Sequence, residues 1–264
     1  MLIPVRGVRL NVEVTGVGSP LVLLHGLGGE VGHWAPQIEA FRAGHQVVAL
    51  DLRGFGRSDR TRGAMSLADF ADDVADVLVA LGLGPSVVVG ASMGGIISQE
   101  LVLRRPELVA GLVLADTTSD LSEGHRQQNE ALRTVALDQG MDAIAPALVR
   151  GCFTRATMDA ADSPVAEFER GIRATDPWSF AIGIRAIVGM DLGPRIADIR
   201  VPTAVVWGVE DALAADCEVI AATIPQAERH PLAAAGHAAN LEQPGAFNAA
   251  VRALVARVAA TEAR

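Results

Sequence analysis

The 264-residue chain contains no lysine and no tyrosine, and all 22 of its basic residues are arginine. Without a lysine amine there is no Schiff base to pyridoxal phosphate or to a carbonyl substrate, and no phosphate-loop lysine. Without a phenol, mechanisms that use tyrosine as acid, nucleophile or hydride-transfer partner are excluded. The two cysteines, Cys152 and Cys217, lie far apart with no CxxC or metal-ligand spacing, so a reduced, cytoplasmic setting is the expectation. Long apolar runs are also missing: nothing approaches the ~18 consecutive apolar residues needed to cross a bilayer. Met1–Arg6 lacks a basic region followed by an apolar run, and reads as a first strand rather than a signal peptide.

Positive charge is in deficit. Asp and Glu number 31 against 22 Arg, for a net charge of −9. A surface of that sign repels phosphate backbones and anionic membranes, so neither nucleic acid nor a membrane is expected as a partner. A small-molecule substrate is expected instead, and assembly into a homo-oligomer stays open.

What is present is a rhythm of short β-branched runs and helical patterns. Val8–Val14, Leu21–Leu24, Val47–Leu50, Val87–Val89 and Leu112–Ala115 read as strands. The last four are continuously apolar, as strands buried on both faces should be. Between them, Asp69–Leu81 carries Phe70, Val74, Val77, Leu78 and Leu81 on one helical face, with Ser66 as N-cap. Ser92–Arg104 reads as a second helix that stops before Pro106. Such alternation predicts an α/β fold with a parallel sheet between helices. From Thr118 to Ala197 only helical periods occur, at Glu123–Leu137, Met141–Val149, Val165–Ala174 and Trp178–Ile187. Strands resume at Thr203–Trp207 and Ala227–His230, and a final helix covers Pro244–Ala259. The expected organisation is a core domain of residues 1–117 and 198–264, with residues 118–197 inserted as a helical lid.

Three segments carry chemistry. Gly90-Ala91-Ser92-Met93-Gly94-Gly95 follows an apolar strand and opens a helix. A strand that turns sharply into a helix at Ser92 strains that residue and exposes its hydroxyl at the carboxyl edge of the sheet. A serine hydroxyl needs an adjacent base. Of six histidines, His237 lies in the flexible loop Ala235–Asn240, after the last strand and before the final helix, where an imidazole can reach Ser92. His230 reads as a packed strand residue, whereas His33, His45 and His125 have nothing nearby in sequence to orient them. The base needs a carboxylate against its second nitrogen. Asp211, just past Thr203–Trp207, is favoured, and Asp116, at the end of the preceding strand, is its geometric rival. Two backbone N–H groups, of Met93 and of Leu27, are expected to form an oxyanion hole. Leu27 belongs to His25-Gly26-Leu27-Gly28-Gly29, where His25 reads as a structural hydrogen-bonder. Gly54-Phe55-Gly56-Arg57-Ser58-Asp59 lacks the third glycine and the helix of a nucleotide loop. It reads as a tight turn braced by Arg53, Arg57 and Asp59, so no cofactor and no metal are expected.

With these motifs the chain resembles the α/β-hydrolase family over its whole length. The matching segments are His25–Gly29, Asp51–Ser58, Gly90–Gly95, Gly208–Asp211 and Gly236-His237. The resemblance implies a mostly parallel eight-stranded sheet flanked by helices, with an inserted helical lid and acyl-enzyme chemistry. Relatives in that family that open epoxides or remove halogens place an aspartate where this chain has Ser92, and plant hydroxynitrile lyases use a lysine. Within the family the chain looks most like the 3-oxoadipate enol-lactonase and cofactor-free perhydrolase branch, through Gly90–Gln99, Gly189–Leu192, Ile199–Thr203 and Asn240–Pro244. Many enol-lactonases have Asn-Ser where this chain has His25-Gly26.

The reading that follows is a serine hydrolase of a small ester or lactone working through an acyl-Ser92 intermediate, with enol-lactonase-like chemistry among its forms. Two alternatives stay open: hydrolysis of a carbon–carbon bond in a ring-cleavage product, and a ligand sensor that uses the same three side chains with little turnover. Arg133, Arg150, Arg173 and Arg185 could meet a substrate carboxylate, and Trp178 or Phe180 could wall a pocket, but nothing in the sequence selects among them.

Overall fold

The computed structural model describes residues 1–161 and 163–262. The strands are β1 (Leu2–Val5), β2 (Val8–Thr15), β3 (Ser19–Leu24), β4 (His45–Leu50), β5 (Ser86–Ala91), β6 (Val109–Ala115), β7 (Thr203–Gly208) and β8 (Glu228–Leu232). They form one eight-stranded sheet in the order β1-β2-β4-β3-β5-β6-β7-β8. β2 runs antiparallel to both β1 and β4, and every other pairing is parallel. The helices before the break in the rhythm are α1 (Ala35–Phe41), α2 (Leu67–Ala80) and α3 (Met93–Arg104). Five follow between β6 and β7: α4 (Glu123–Gln139), α5 (Met141–Cys152), α6 (Arg155–Asp159), α7 (Val165–Ala174) and α8 (Pro177–Val188). The last three are α9 (Ala214–Thr223), α10 (Ala239–Glu242) and α11 (Pro244–Glu262). Among the described residues, no helix is long and apolar enough to cross a membrane.

Period-two alternation along the central strands builds two cores, one on each face of the sheet. Val22, Leu24, Val88, Leu112, Leu114 and Val205 face one way, into a cluster closed by Phe70 and Val74 of α2, Ile97 and Leu101 of α3, and Ile220 of α9. Leu21, Leu23, Val87, Val89, Val113 and Val206 face the other, against Phe41 of α1 and Phe247, Val251 and Leu254 of α11. The capping box at the head of α2 is complete: the Ser66 hydroxyl accepts from the Asp69 N–H while the Asp69 side chain accepts from the Ser66 N–H. This satisfies two donors that a helix terminus leaves open.

Helices α4 to α8 hold a small core of their own around Ala136, Met141, Ile144, Ile172, Phe180 and Ile184. It joins the main body through Leu27, which packs against both clusters. Gly183 makes the close approach of α8 feasible, because a Cβ there would stand 2.6 Å from Leu27 Cδ1 and 3.2 Å from Phe55 Cζ. The helix expected over Ser92–Arg104 begins one residue later: Ser92 itself is the non-helical cap.

Candidate active site

Parallel strands of matched register end together, so the loops that follow β3, β5, β6, β7 and β8 share the carboxyl edge of the sheet. Leu24 pairs with Gly90, Gly90 with Leu114, and Gly208 with Leu232. The residues just beyond those positions are His25, Ser92, Asp116, Asp211 and His237.

At the end of β5 the backbone turns so tightly that Ser92 takes φ 51° and ψ −117°. That conformation costs a β-carbon-bearing residue about 1–3 kcal/mol. It is held by hydrogen bonds on both sides: the Ser92 N–H donates to the Ala115 carbonyl at 2.9 Å, and the Thr117 hydroxyl donates to the Ser92 carbonyl at 2.8 Å. Gly94 must lack a side chain, since a Cβ would drive into the Leu24 and His25 carbonyl oxygens. As a result the Ser92 hydroxyl stands free of its own helix and faces the loop after β8.

His237 Nε2 lies 2.9 Å from Ser92 Oγ, and its Nδ1 lies 3.0 Å from Asp211 Oδ2 and 3.1 Å from Oδ1. Since Asp211 accepts, Nδ1 carries the proton and neutral Nε2 is left to accept from the serine hydroxyl. Asp211 is buried, and its Oδ1 also accepts from the Leu213 N–H at 3.1 Å. Burial alone pulls the His237 imidazole down, but the Asp211 carboxylate outweighs it and lifts the value from 6.5 to about 9.

Asp116, the sequence rival of Asp211, does not touch the imidazole. Its Oδ1 accepts from the Gly208 N–H at 2.9 Å and its Oδ2 from the Ala239 N–H at 3.3 Å. It therefore ties the loop carrying Asp211 to the loop carrying His237. Burial pushes its carboxyl well above the usual carboxylate range, although the two backbone donors and His237 oppose the rise.

The Met93 N–H opens α3 immediately after Ser92, at a position with no intrahelical acceptor. Leu27 follows Gly26, where a Cβ would lie 3.1 Å from Ser92 Cβ, so the loop after β3 runs directly against the serine. His25 is fully buried and locks that loop: its Nε2 accepts from the Leu52 N–H at 2.9 Å, and its Nδ1 sits 2.7 Å from the Gly26 carbonyl. Desolvation keeps it neutral. Behind it, the Asp51 carboxylate accepts from the Val31 and Arg57 N–H groups at 2.7 and 2.9 Å and from the Asn11 amide at 2.8 Å. The turn expected to be braced by arginines does carry ion pairs, Arg53 with Asp73, Arg57 with Glu13 and Arg9 with Asp59, but Asp51 is its hub.

A cavity of about 680 Å³ opens over Ser92 and His237 beneath α4, α5 and α7. None of Arg133, Arg150, Arg173 and Arg185 lines it, nor do Trp178 and Phe180. Trp178 is half exposed beside Arg62, and Phe180 is buried in the core of the inserted helices. Cys152 does reach the cavity, where burial pushes its thiol up to about 12, so it is no thiolate rival to Ser92. Among the described residues no cluster of side chains is arranged to hold a metal ion.

Two contributors escaped the sequence. His33 stacks on Phe168 with ring centroids 4.5 Å apart and lines the cavity. Glu242 accepts from the Thr154 N–H at 2.8 Å and hydroxyl at 2.7 Å through Oε1, and from the Gly236 N–H at 2.6 Å through Oε2. It clamps the end of α5 to the residue preceding His237. Asn240 adds a second tie, donating to the His33 carbonyl at 2.9 Å. Only the match of Asn240–Pro244 to the family pattern hinted at either residue.

Fold and site together define a hydrolase built on a mostly parallel sheet. The chain belongs to the α/β-hydrolase family, whose pattern, described as the alpha/beta hydrolase fold, matches residues 19–244. A protein of Azorhizobium caulinodans assigned as carbamate hydrolase RutD is 33% identical over 243 residues, which cover 90% of this chain and 92% of that one. 3-Oxoadipate enol-lactonase 2 of Acinetobacter baylyi is 27% identical over 256 residues, 96% of this chain and 95% of that one. The crystal structure of the enol-lactonase from Burkholderia xenovorans superposes with a TM-score of 0.93 at 26% identity, covering 97% of this chain and 100% of that one.

Proposed function

We propose that the chain hydrolyses a small ester or lactone through an acyl-Ser92 intermediate. Ser92 Oγ attacks the acyl carbon while its proton passes to His237 Nε2. The carbonyl electrons collapse back, the carbon–oxygen bond to the leaving group breaks, and the leaving oxygen takes the proton from Nε2. Water then attacks the acyl-serine and gives one proton to Nε2. As the ester bond to Ser92 breaks, that proton returns to Oγ, and the acid departs. Asp211 holds the imidazole in the productive tautomer and balances its transient charge. The Met93 and Leu27 backbone N–H groups stabilise the oxyanion, each contributing on the order of 2.7–4 kcal/mol. Residues 118–197 act as a lid over the reacting centre.

The observation that carries this reading is the unbroken line from Ser92 Oγ to His237 Nε2 at 2.9 Å and from Nδ1 to Asp211 at 3.0 Å. Relatives named for acting on a carbamate and on an enol-lactone support an acyl substrate. The test is covalent labelling by a fluorophosphonate probe, followed by peptide mapping. Wild-type protein should be modified at Ser92 and Ser92→Ala should not; labelling that survives the substitution overturns the assignment.

A further inference from the structure

The charges around the cavity select among acyl substrates. The chain has no lysine, and among the described residues no arginine lines the cavity. The arginines of the inserted helices are engaged or turned away: Arg133 pairs with Glu130 at 2.6 Å and Arg173 with Asp142 at 2.7 Å, while Arg150 and Arg185 are exposed. The imidazoles supply no replacement. His25 is buried and already bonded on both nitrogens, burial drags His33 down to about 3, and the positive charge of His237 is matched by Asp211. His125, also on the cavity wall, lies near enough to Asp216 for its charge to act on that carboxyl.

A negative group, by contrast, is close. Asp211 lines the cavity and directs its charge at His237, which leaves no unpaired positive group beside Ser92. The walls are apolar: Leu132 and Val135 from α4, Leu148 from α5, Phe168 from α7, Ile187 from α8 and Leu241 from α10. The side chains of Gln128 and Asn129 are the uncharged polar groups that α4 adds. A carboxylate entering here would lose its water, meet no unpaired cation and sit beside the Asp211 carboxylate, and an unpaired buried ion costs several kcal/mol.

We propose that this cavity takes uncharged esters or lactones with an apolar acyl group and rejects substrates that carry a carboxylate. The inference rests on Ser92 being the nucleophile. It would set this chain apart from a hydrolase whose substrate is an acid anion, because a cavity without a free cation has nothing to pair with that charge.

The test pairs two esters of one diacid, dimethyl adipate and monomethyl adipate, at a pH where the second is an anion. Each is measured for methanol release and for the concentration that halves the rate of Ser92 labelling by a fluorophosphonate probe. The diester should compete at a concentration at least about tenfold lower, and it alone should turn over readily. Equal or better competition by the monoester overturns the inference, as does failure of both esters to compete while Ser92 is still labelled. Loss of labelling altogether would instead bring down the nucleophile assignment beneath it. Leu132→Arg places a guanidinium on the wall and should narrow the ratio between the esters, with Val135→Arg as a second placement if the first lowers the melting temperature. A ratio that neither folded variant moves also overturns the inference.

Discussion

Replacing Asp211 by asparagine keeps the shape of the side chain and removes its charge, which isolates what the carboxylate does to His237. In the native protein the imidazole is subject to two opposed effects. Burial favours the neutral ring, and Asp211, 3.0 Å from Nδ1, favours the cation strongly enough to raise the value from 6.5 to about 9. The gap between 6.5 and about 9 corresponds to roughly 3 kcal/mol in favour of the imidazolium. Only the neutral ring can accept the Ser92 proton, so kcat/KM for p-nitrophenyl acetate should climb with pH through a midpoint of about 9 and level off above it. In Asp211→Asn burial decides, and the midpoint should fall below 6.5. The plateau kcat should drop on the order of 10⁴-fold, because the tautomer is no longer enforced and the transient cation is no longer balanced. Folding responds to the same pair. The folded value lies above the unfolded one, so the stabilisation is complete below 6.5 and is lost as pH rises through about 9. Thermal melts across that window should show the native protein losing stability that the variant never had. A midpoint left near 9, or a variant with the full native rate, would refute this account of the imidazole.

Three further substitutions probe the supports of the site. Gly26→Ala would place a methyl 3.1 Å from Ser92 Cβ and 3.7 Å from Oγ, so kcat should fall about tenfold or more with little change in melting temperature. Steady-state kinetics beside a circular-dichroism melt would check it. Arg53→Met leaves Asp73, whose side chain is 2% exposed, with only Arg6 at 3.5 Å as a charged partner, and should cost up to about 3–5 kcal/mol in urea denaturation. That loss should shrink in acid, because burial already raises the Asp73 carboxyl and without Arg53 it takes up a proton more readily. Glu242→Gln weakens the acceptor that joins Thr154 to Gly236, and should lower stability by about 1.5–3 kcal/mol. If the clamp positions His237, the same variant should lose kcat while KM stays put, and a loss confined to KM would contradict it.

Much of the sheet is legible in the chain because its strands are buried on both faces. An apolar run such as Val87–Val89 marks its own centre, and the structure extends it only to Ser86–Ala91. Val165–Ala174 coincides with α7, where apolar and charged residues separate cleanly around the helix. α9 escaped notice for the opposite reason. Only Cys217, Ile220 and Ala221 of its residues are buried, and the remainder mixes alanine with acids on no clear face. α1 and α10 are too short to show a period, and packing rather than propensity maintains them. At the site, the order of Ser92, Asp211 and His237 along the chain, each just past a strand, anticipated where their side chains meet. Nothing comparable announced Glu242 or His33. Each acts through a contact between segments distant in sequence, Glu242 with Thr154 and His33 with Phe168, and such contacts leave no local pattern.

The two candidate carboxylates at the sheet edge illustrate why sequence position narrows a choice without completing it. Asp116 and Asp211 each follow a neighbouring strand, β6 and β7, and each is buried beside His237. What separates them is where their hydrogen-bonding capacity goes. Asp116 takes φ 47°, and that turn aims its carboxylate at the Gly208 and Ala239 N–H groups, which occupy both oxygens. Held by these two backbone donors, the Asp116 side chain makes no hydrogen bond to the imidazole. Asp211 meets one backbone N–H, at Leu213, and directs the rest of its capacity to Nδ1. One acid therefore joins the two loops, and the other addresses the ring that the joined loops present. The geometry over Ser92 depends on both, because an imidazole whose loop is free to drift by an ångström would lose the 2.9 Å contact however well its second nitrogen is paired.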